Sequence, residues 1–183
     1  MKGRSGGQTS AVRGAARLST TGRVTLIGHS SGGVMGRLYL SPRPFLGPAF
    51  YGLEYVDLLV TLGSPHYNWR GGRMRRWVEE QYPGAYFAPQ VRYVSVAGKL
   101  LRGDRAGSLR ERLAYRFYER LCGDGRAWGD GSVPVPSALL HGSRQVVLEG
   151  VGHFAGFGGP WYGTEGVVPR WWNAGVAEGD AGG

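Results

Sequence analysis

The sequence predicts an α/β fold: a mostly parallel sheet of about four strands flanked by helices. Three observations predict it. Short apolar runs recur along the chain and end at a glycine, as at residues 24–27 before Gly28 and 91–97 before Gly98. Segments with helical spacing separate the runs. The runs are near-continuously apolar, which marks strands buried on both faces of a sheet that helices cover.

The elements follow in order. Residues 1–23 are a basic segment carrying Lys2, Arg4, Arg13, Arg17 and Arg23, and the first acidic residue of the chain is Glu54. Two readings stay open: an organelle transit segment, for instance to a chloroplast, or a helix leading into the first strand on the weak stripe of Val12, Ala15, Ala16 and Leu18. Residues 24–27 are that strand. Residues 31–40 are a helix in which Gly32 and Gly36, four apart, share a face and permit close approach to the sheet. Pro42 and Pro44 break it.

Residues 55–62 are the second strand, closed by Gly63, Ser64 and Pro65. Residues 66–90 lack a clear period and read as an excursion from the sheet. Residues 91–97 are the third strand. Ser108 caps a helix through Leu109, Leu113, Phe117 and Leu121. A long loop follows over 122–136, then a helical turn or two at 137–140, a fourth strand at 145–148 and a last helix at 167–172, where Pro169 fits only near the start. Residues 24–176 make one domain, and 177–183 a loose tail.

Composition narrows the function. The net charge is +9, which invites an anionic partner. No cysteine-pair set, RNA-binding aromatic signature or long basic helix accompanies it, so no nucleic-acid partner is expected. The densest basic cluster, residues 70–76, is flanked by Trp69 and Trp77. It suits peripheral contact with a membrane surface, or a solvated loop. The single cysteine, Cys122, excludes an internal disulfide framework. Scattered histidines offer no metal site. A G-x-G-x-x-A pattern at 150–155 lacks the helix-and-strand unit of a dinucleotide fold, so no cofactor is expected.

The pattern Gly-x-Ser-x-Gly occurs twice, around Ser5 and around Ser30. A nucleophile elbow needs a strand before the serine, a helix after it, and small flanking residues in the tight turn. Ser30 has all three, with Gly28 and Gly32 as the flanking glycines; Ser5 has neither strand nor apolar helix. A serine hydroxyl needs a base. His153 follows the last strand, where the chain order Ser, acid, His puts that base. His29 lies within the elbow, His141 ends a short helical segment, and His66 follows the second strand as a pocket-wall or loop-anchoring residue. The acid lies between the third strand and His153. Asp130, between Gly129 and Gly131, is favoured over Asp124 and Asp104 on turn chemistry. The aromatic excursion with Trp69 and Trp77 is a candidate lid or substrate wall, or ordinary packing over the sheet.

The stretches VTLIGHSSGG, VTLGSPH, YERLCGDGRAWGDGSVPVPSALLHG and VVLEGVGHF…PWYG resemble the lipase/esterase-like branch of the α/β-hydrolase superfamily. More closely, they are similar to plant and algal α/β-hydrolases related to the GPI inositol-deacylase/lipase group. The resemblance implies Ser30 as nucleophile, Asp130 as acid and His153 as base, with the Ser31 N–H as one oxyanion-hole donor. The function expected is a serine hydrolase acting on a carboxylic ester, a lipid ester included.

The resemblance also implies several strands before the elbow strand, whereas 23 residues precede Val24. The expectation is a partial α/β-hydrolase fold, N-terminally truncated, without its early strands or second oxyanion donor. Its elbow strand would be an exposed edge open to self-association. The alternative function is therefore a non-catalytic hydrolase-like domain that binds a lipid or a protein partner.

Overall fold

The computed structural model describes residues 6–67, 69–157 and 159–177. The Ser5 pattern and most of the expected tail lie outside them. Six α-helices, α1 (Gly6–Leu18), α2 (Ser31–Leu40), α3 (Arg73–Gln81), α4 (Leu109–Cys122), α5 (Val135–Ala138) and α6 (Val168–Gly175), are interspersed with six strands among the described residues. The strands are β1 (Val24–His29), β2 (Val56–Leu62), β3 (Arg92–Lys99), β4 (Leu101–Arg102), β5 (Trp128–Gly129) and β6 (Arg144–Glu149). β1, β2, β3 and β6 form a parallel sheet in that order, and β4 pairs antiparallel with β5.

For the central strands β2 and β3 the apolar runs have the cause the sequence suggested. β1 and β6, expected to be buried as well, lie at the two edges of the sheet and are partly exposed along their length. On β2, Leu58, Val60 and Leu62 join Val94, Val96, Val146 and Leu148 under Trp171 of α6. Leu59 points the other way, into a cluster with Tyr39 and Leu40 of α2 and Tyr93 of β3. A central strand covered on both faces has no polar side to show. α1 belongs to the same packing: Val12 lies against the α2-side cluster and Ala16 is buried. No helix among the described residues is long and apolar enough to cross a membrane.

Three expectations need correction. The 66–90 excursion contains a regular helix, α3, whose Met74, Trp77 and Val78 pack on Val34 and Leu38. Their i, i+3, i+4 spacing is a helical signal, too short to stand out among arginines and glutamates. The capping box at Ser108 and Glu111 starts α4 as its sequence indicates. However, the Leu109, Leu113 and Phe117 stripe faces solvent, and α4 buries Ala114 and Tyr118 instead. Shape decides this: Tyr118 fills the space between α4 and the loop after β5, where its hydroxyl accepts the Gly131 N–H at 2.8 Å.

The third correction concerns the glycines of α2. A Cβ at Gly32 would meet nothing within 4 Å, whereas at Gly33 it would collide with Ser64, and at Gly36 it would sit 2.7 Å from Leu59 Cδ1. The sheet-facing pair is Gly33 and Gly36, three apart. Gly33→Ala is expected to destabilise the fold by about 1–3 kcal/mol through overpacking. Gly32→Ala should stay within about 1 kcal/mol of wild type. Urea denaturation of the two variants checks the order, and equal losses would refute the assignment.

Candidate active site

The parallel sheet brings its strand ends to one edge, where the loops that follow them meet. At the end of β1 the chain turns sharply into α2. Ser30 occupies the turn with φ 55° and ψ −130°, a conformation that costs a non-glycine residue about 1–3 kcal/mol. The surroundings hold it there. The Ser30 N–H donates to Leu62 O at 2.9 Å, and its carbonyl accepts the Gly33 N–H at 3.2 Å. A Cβ on Gly28 would sit 2.5 Å from Gly33 N, so a side chain there would block the turn.

Asp130 follows β5 directly. The β4–β5 pairing, the Leu100 N–H to Gly129 O bond of 2.8 Å and the Asp130 N–H to Val133 O bond of 3.2 Å shape its loop. Its carboxylate is fully buried and accepts four donors. Oδ1 takes the Ser132 N–H at 2.9 Å and the Val133 N–H at 2.7 Å. Oδ2 takes His153 Nδ1–H at 2.7 Å and the Tyr162 hydroxyl at 2.8 Å. Four donors offset the desolvation of a carboxylate that faces no lysine or arginine ion pair among the described residues.

His153 follows β6, and its own N–H donates to Asp130 O at 2.9 Å. The Asp130 contact assigns the imidazole proton to Nδ1. Nε2 is left to accept from Ser30 Oγ, 3.0 Å away. Ser30, His153 and Asp130, 123 and 23 residues apart along the chain, form one continuous hydrogen-bonded run.

The other candidates sit differently. Asp124 Oδ1 accepts the Arg126 N–H at 2.8 Å, and Asp104 Oδ1 accepts the Ala106 N–H at 3.0 Å, so both stabilise their own turns. His29 lies beside His153, ring centroids 4.7 Å apart, and its Nε2–H donates to His153 O at 2.9 Å. Burial, and then the neighbouring His153, lower the pKa of His29. Trp69 is 66 % exposed. Trp77 packs with Phe45, Val34 and Leu38. Neither lines the apolar groove of about 320 Å³ that borders the elbow at Gly28, His29 and Gly32 and runs past Leu26, Met35 and Tyr39 to α1.

His66 has no exposed surface, so it anchors the loop after β2 and is no pocket wall. Its Nε2 meets Thr61 Oγ1 at 3.0 Å, its backbone N–H donates to Ser137 O at 2.8 Å, and its Nδ1 is buried without a partner. Burial holds its pKa well below 6.5, with Arg37 and Arg75 adding to the effect. The sign follows from linkage. The unfolded chain takes up a proton near pH 6.5 that the folded chain refuses, so stability falls as the pH drops below that value. His66 alone should contribute up to about 1.4 kcal/mol per pH unit there. The slope of unfolding free energy between about pH 6.5 and 5 should flatten in His66→Asn; an unchanged slope would remove His66 as its source.

Tyr162 is the site residue that sequence reasoning missed. It is fully buried, its hydroxyl accepts the Gly98 N–H at 2.7 Å, and its carbonyl accepts Trp171 Nε1–H at 2.9 Å. Burial, reinforced by Asp130, pushes its pKa well above 10.0, so it stays a proton donor. Nothing local in PWYG marks it; only the fold brings residue 162 to residue 130. Among the described residues no group of three or more His, Cys, Asp or Glu could hold a metal ion.

A four-stranded parallel sheet with helices on both faces, and a strand–serine–helix turn at its strand ends, is an α/β-hydrolase fold. Among solved structures, the mature form of the Bacillus licheniformis lipase BlEst2 is similar, with a TM-score of 0.54 and 19 % identity over 81 % of this chain and 65 % of that one. The likeness concerns the fold, and it spans less than two thirds of that lipase. No family model and no curated protein matches the chain.

Proposed function

We propose that this chain is a serine hydrolase that cleaves carboxylic esters. The observation that carries the reading is the hydrogen-bonded run from Ser30 Oγ through His153 to the buried Asp130 carboxylate. In the proposed reaction Ser30 Oγ attacks the ester carbonyl as its proton passes to His153 Nε2. Asp130 keeps Nδ1 protonated and stabilises the imidazolium. Charge collects on the carbonyl oxygen, where the Ser31 N–H can donate. Ser31 opens α2, so its N–H has no acceptor within the helix, and the helix dipole favours an anion there. Collapse expels the alcohol, which takes the proton from His153. Water, activated by the same base, then releases the acid and restores Ser30.

A lipid ester is the favoured substrate. The groove beside the elbow is lined largely by apolar side chains, and the motif resemblance to the GPI inositol-deacylase/lipase group points the same way. Labelling with a fluorophosphonate tests the reading: the purified chain should label at Ser30, and failure to label would sink it. A second reading rests on β1. Among the described residues its one strand neighbour is β2, and Ile27 is 51 % exposed. An apolar edge strand without a charge or a proline invites pairing. On this reading the domain binds a partner strand and does no chemistry; it would not label, and it would self-associate or capture an extended peptide.

A further inference from the structure

The chemistry of ester cleavage does not call for Tyr162, yet the site is built around its hydroxyl. Oδ1 of Asp130 is held by two backbone N–H groups. Oδ2 is shared by two side-chain donors, His153 Nδ1–H at 2.7 Å and Tyr162 O–H at 2.8 Å. Two strand-end glycines keep this space open. A Cβ on Gly63 would lie 2.6 Å from Asp130 Oδ2 and 2.7 Å from the Tyr162 hydroxyl, and one on Gly98 would lie 3.0 Å from that hydroxyl.

We infer that Tyr162 is a positioning residue that sets how strongly Asp130 pulls on His153, an inference that rests on reading Ser30, His153 and Asp130 as a triad. A carboxylate oxygen that serves two donors offers less charge to each. With Tyr162 in place, the protonated imidazole is stabilised less than Asp130 alone would stabilise it, and His153 is available as a neutral base at lower pH. The Tyr162 hydroxyl also fixes Oδ2 laterally, through the Gly98 N–H at the end of β3. The groups facing His153 are Asp130 from the β5 loop, His29 from the end of β1 and Ser30 from the elbow. Tyr118 of α4 reaches the same loop through the Gly131 N–H. Among the described residues, Tyr162 is the one side chain besides His153 that bonds Oδ2.

The test compares wild type, Tyr162→Phe and a protein carrying 3-fluorotyrosine at position 162, a stronger donor of nearly the same shape. Two quantities are read: the pH midpoint of fluorophosphonate labelling at Ser30, and the downfield proton resonance of His153 Nδ1–H. In Tyr162→Phe the labelling midpoint should rise by about half a pH unit or more, and the resonance should move further downfield. Fluorotyrosine should move both the opposite way. A residue that merely packed would leave the two variants without opposite shifts. If Tyr162→Phe does not fold, because Gly98 N–H has lost its acceptor, the fluorotyrosine protein decides alone. Labelling at Ser30 with unmoved midpoints and resonances overturns the role of Tyr162 and leaves the triad standing. A wild-type chain that never labels overturns both.

Discussion

Ser30→Ala should abolish hydrolysis of a short-chain 4-nitrophenyl ester, lowering kcat by on the order of 10⁴-fold or more, while the protein remains folded. The two halves of this expectation have separate causes. Activity goes because no other hydroxyl is hydrogen-bonded to His153 Nε2 among the described residues. The fold stays because alanine keeps the Cβ that the turn already accommodates at φ 55°, and one partly exposed hydrogen bond of 3.0 Å is lost. Such a bond contributes about 1 kcal/mol. Turnover and the thermal melting curve, measured on one preparation, check both halves. Retention of a tenth of wild-type activity in a folded variant would mean that ester cleavage uses another nucleophile.

Asp130→Asn has the second largest expected effect, a fall in kcat of roughly 10⁴-fold. Asparagine matches the shape but not the hydrogen-bonding pattern. Its carbonyl oxygen takes the Oδ1 place, because the Ser132 and Val133 N–H groups both donate there. Its NH₂ then faces His153 Nδ1 and the Tyr162 hydroxyl, where Oδ2 accepted from both. The imidazole answers by moving its proton to Nε2, which turns a donor toward Ser30 Oγ and removes the base. Asp124→Asn is the control. An asparagine oxygen can still accept the Arg126 N–H, so activity should stay within about twofold of wild type. If the two variants lose activity equally, the acid has been misassigned.

Much of the fold was legible because the signals are local. The strands β1, β2 and β3 show themselves as apolar runs ended by glycine, and Ser108 announces the start of α4. The candidate site was legible to a similar depth. Ser30 stands on a strand–turn–helix pattern, and His153 follows the last strand of the sheet. Where the reading slipped, periodicity was a poor guide to orientation. Leu109, Leu113 and Phe117 share a helix face, yet spacing alone does not say which face meets the core. The aromatic ring of Tyr118, on another face, fills the space below α4. The β4–β5 pairing was invisible because two-residue strands carry no period.

By itself the sequence determined the order of the four sheet strands, the parallel sheet and the serine turn, since each follows from short-range spacing and backbone preference. It also favoured Asp130 over Asp124 and Asp104 as the candidate acid on turn chemistry. Only the tertiary structure showed which donors surround Asp130 and which surround Asp124, and separated Gly33 from Gly32 and Tyr162 from the other buried tyrosines. The physical reason is common to the three. Asp124 and Asp130 stand in nearly identical Gly-Asp-Gly contexts, and they differ in the donors that other strand ends bring to them. A buried carboxylate is held by groups 23 and 32 residues away along the chain, and a helix glycine matters only where a neighbouring strand presses on it. Those distances close only once the sheet has formed.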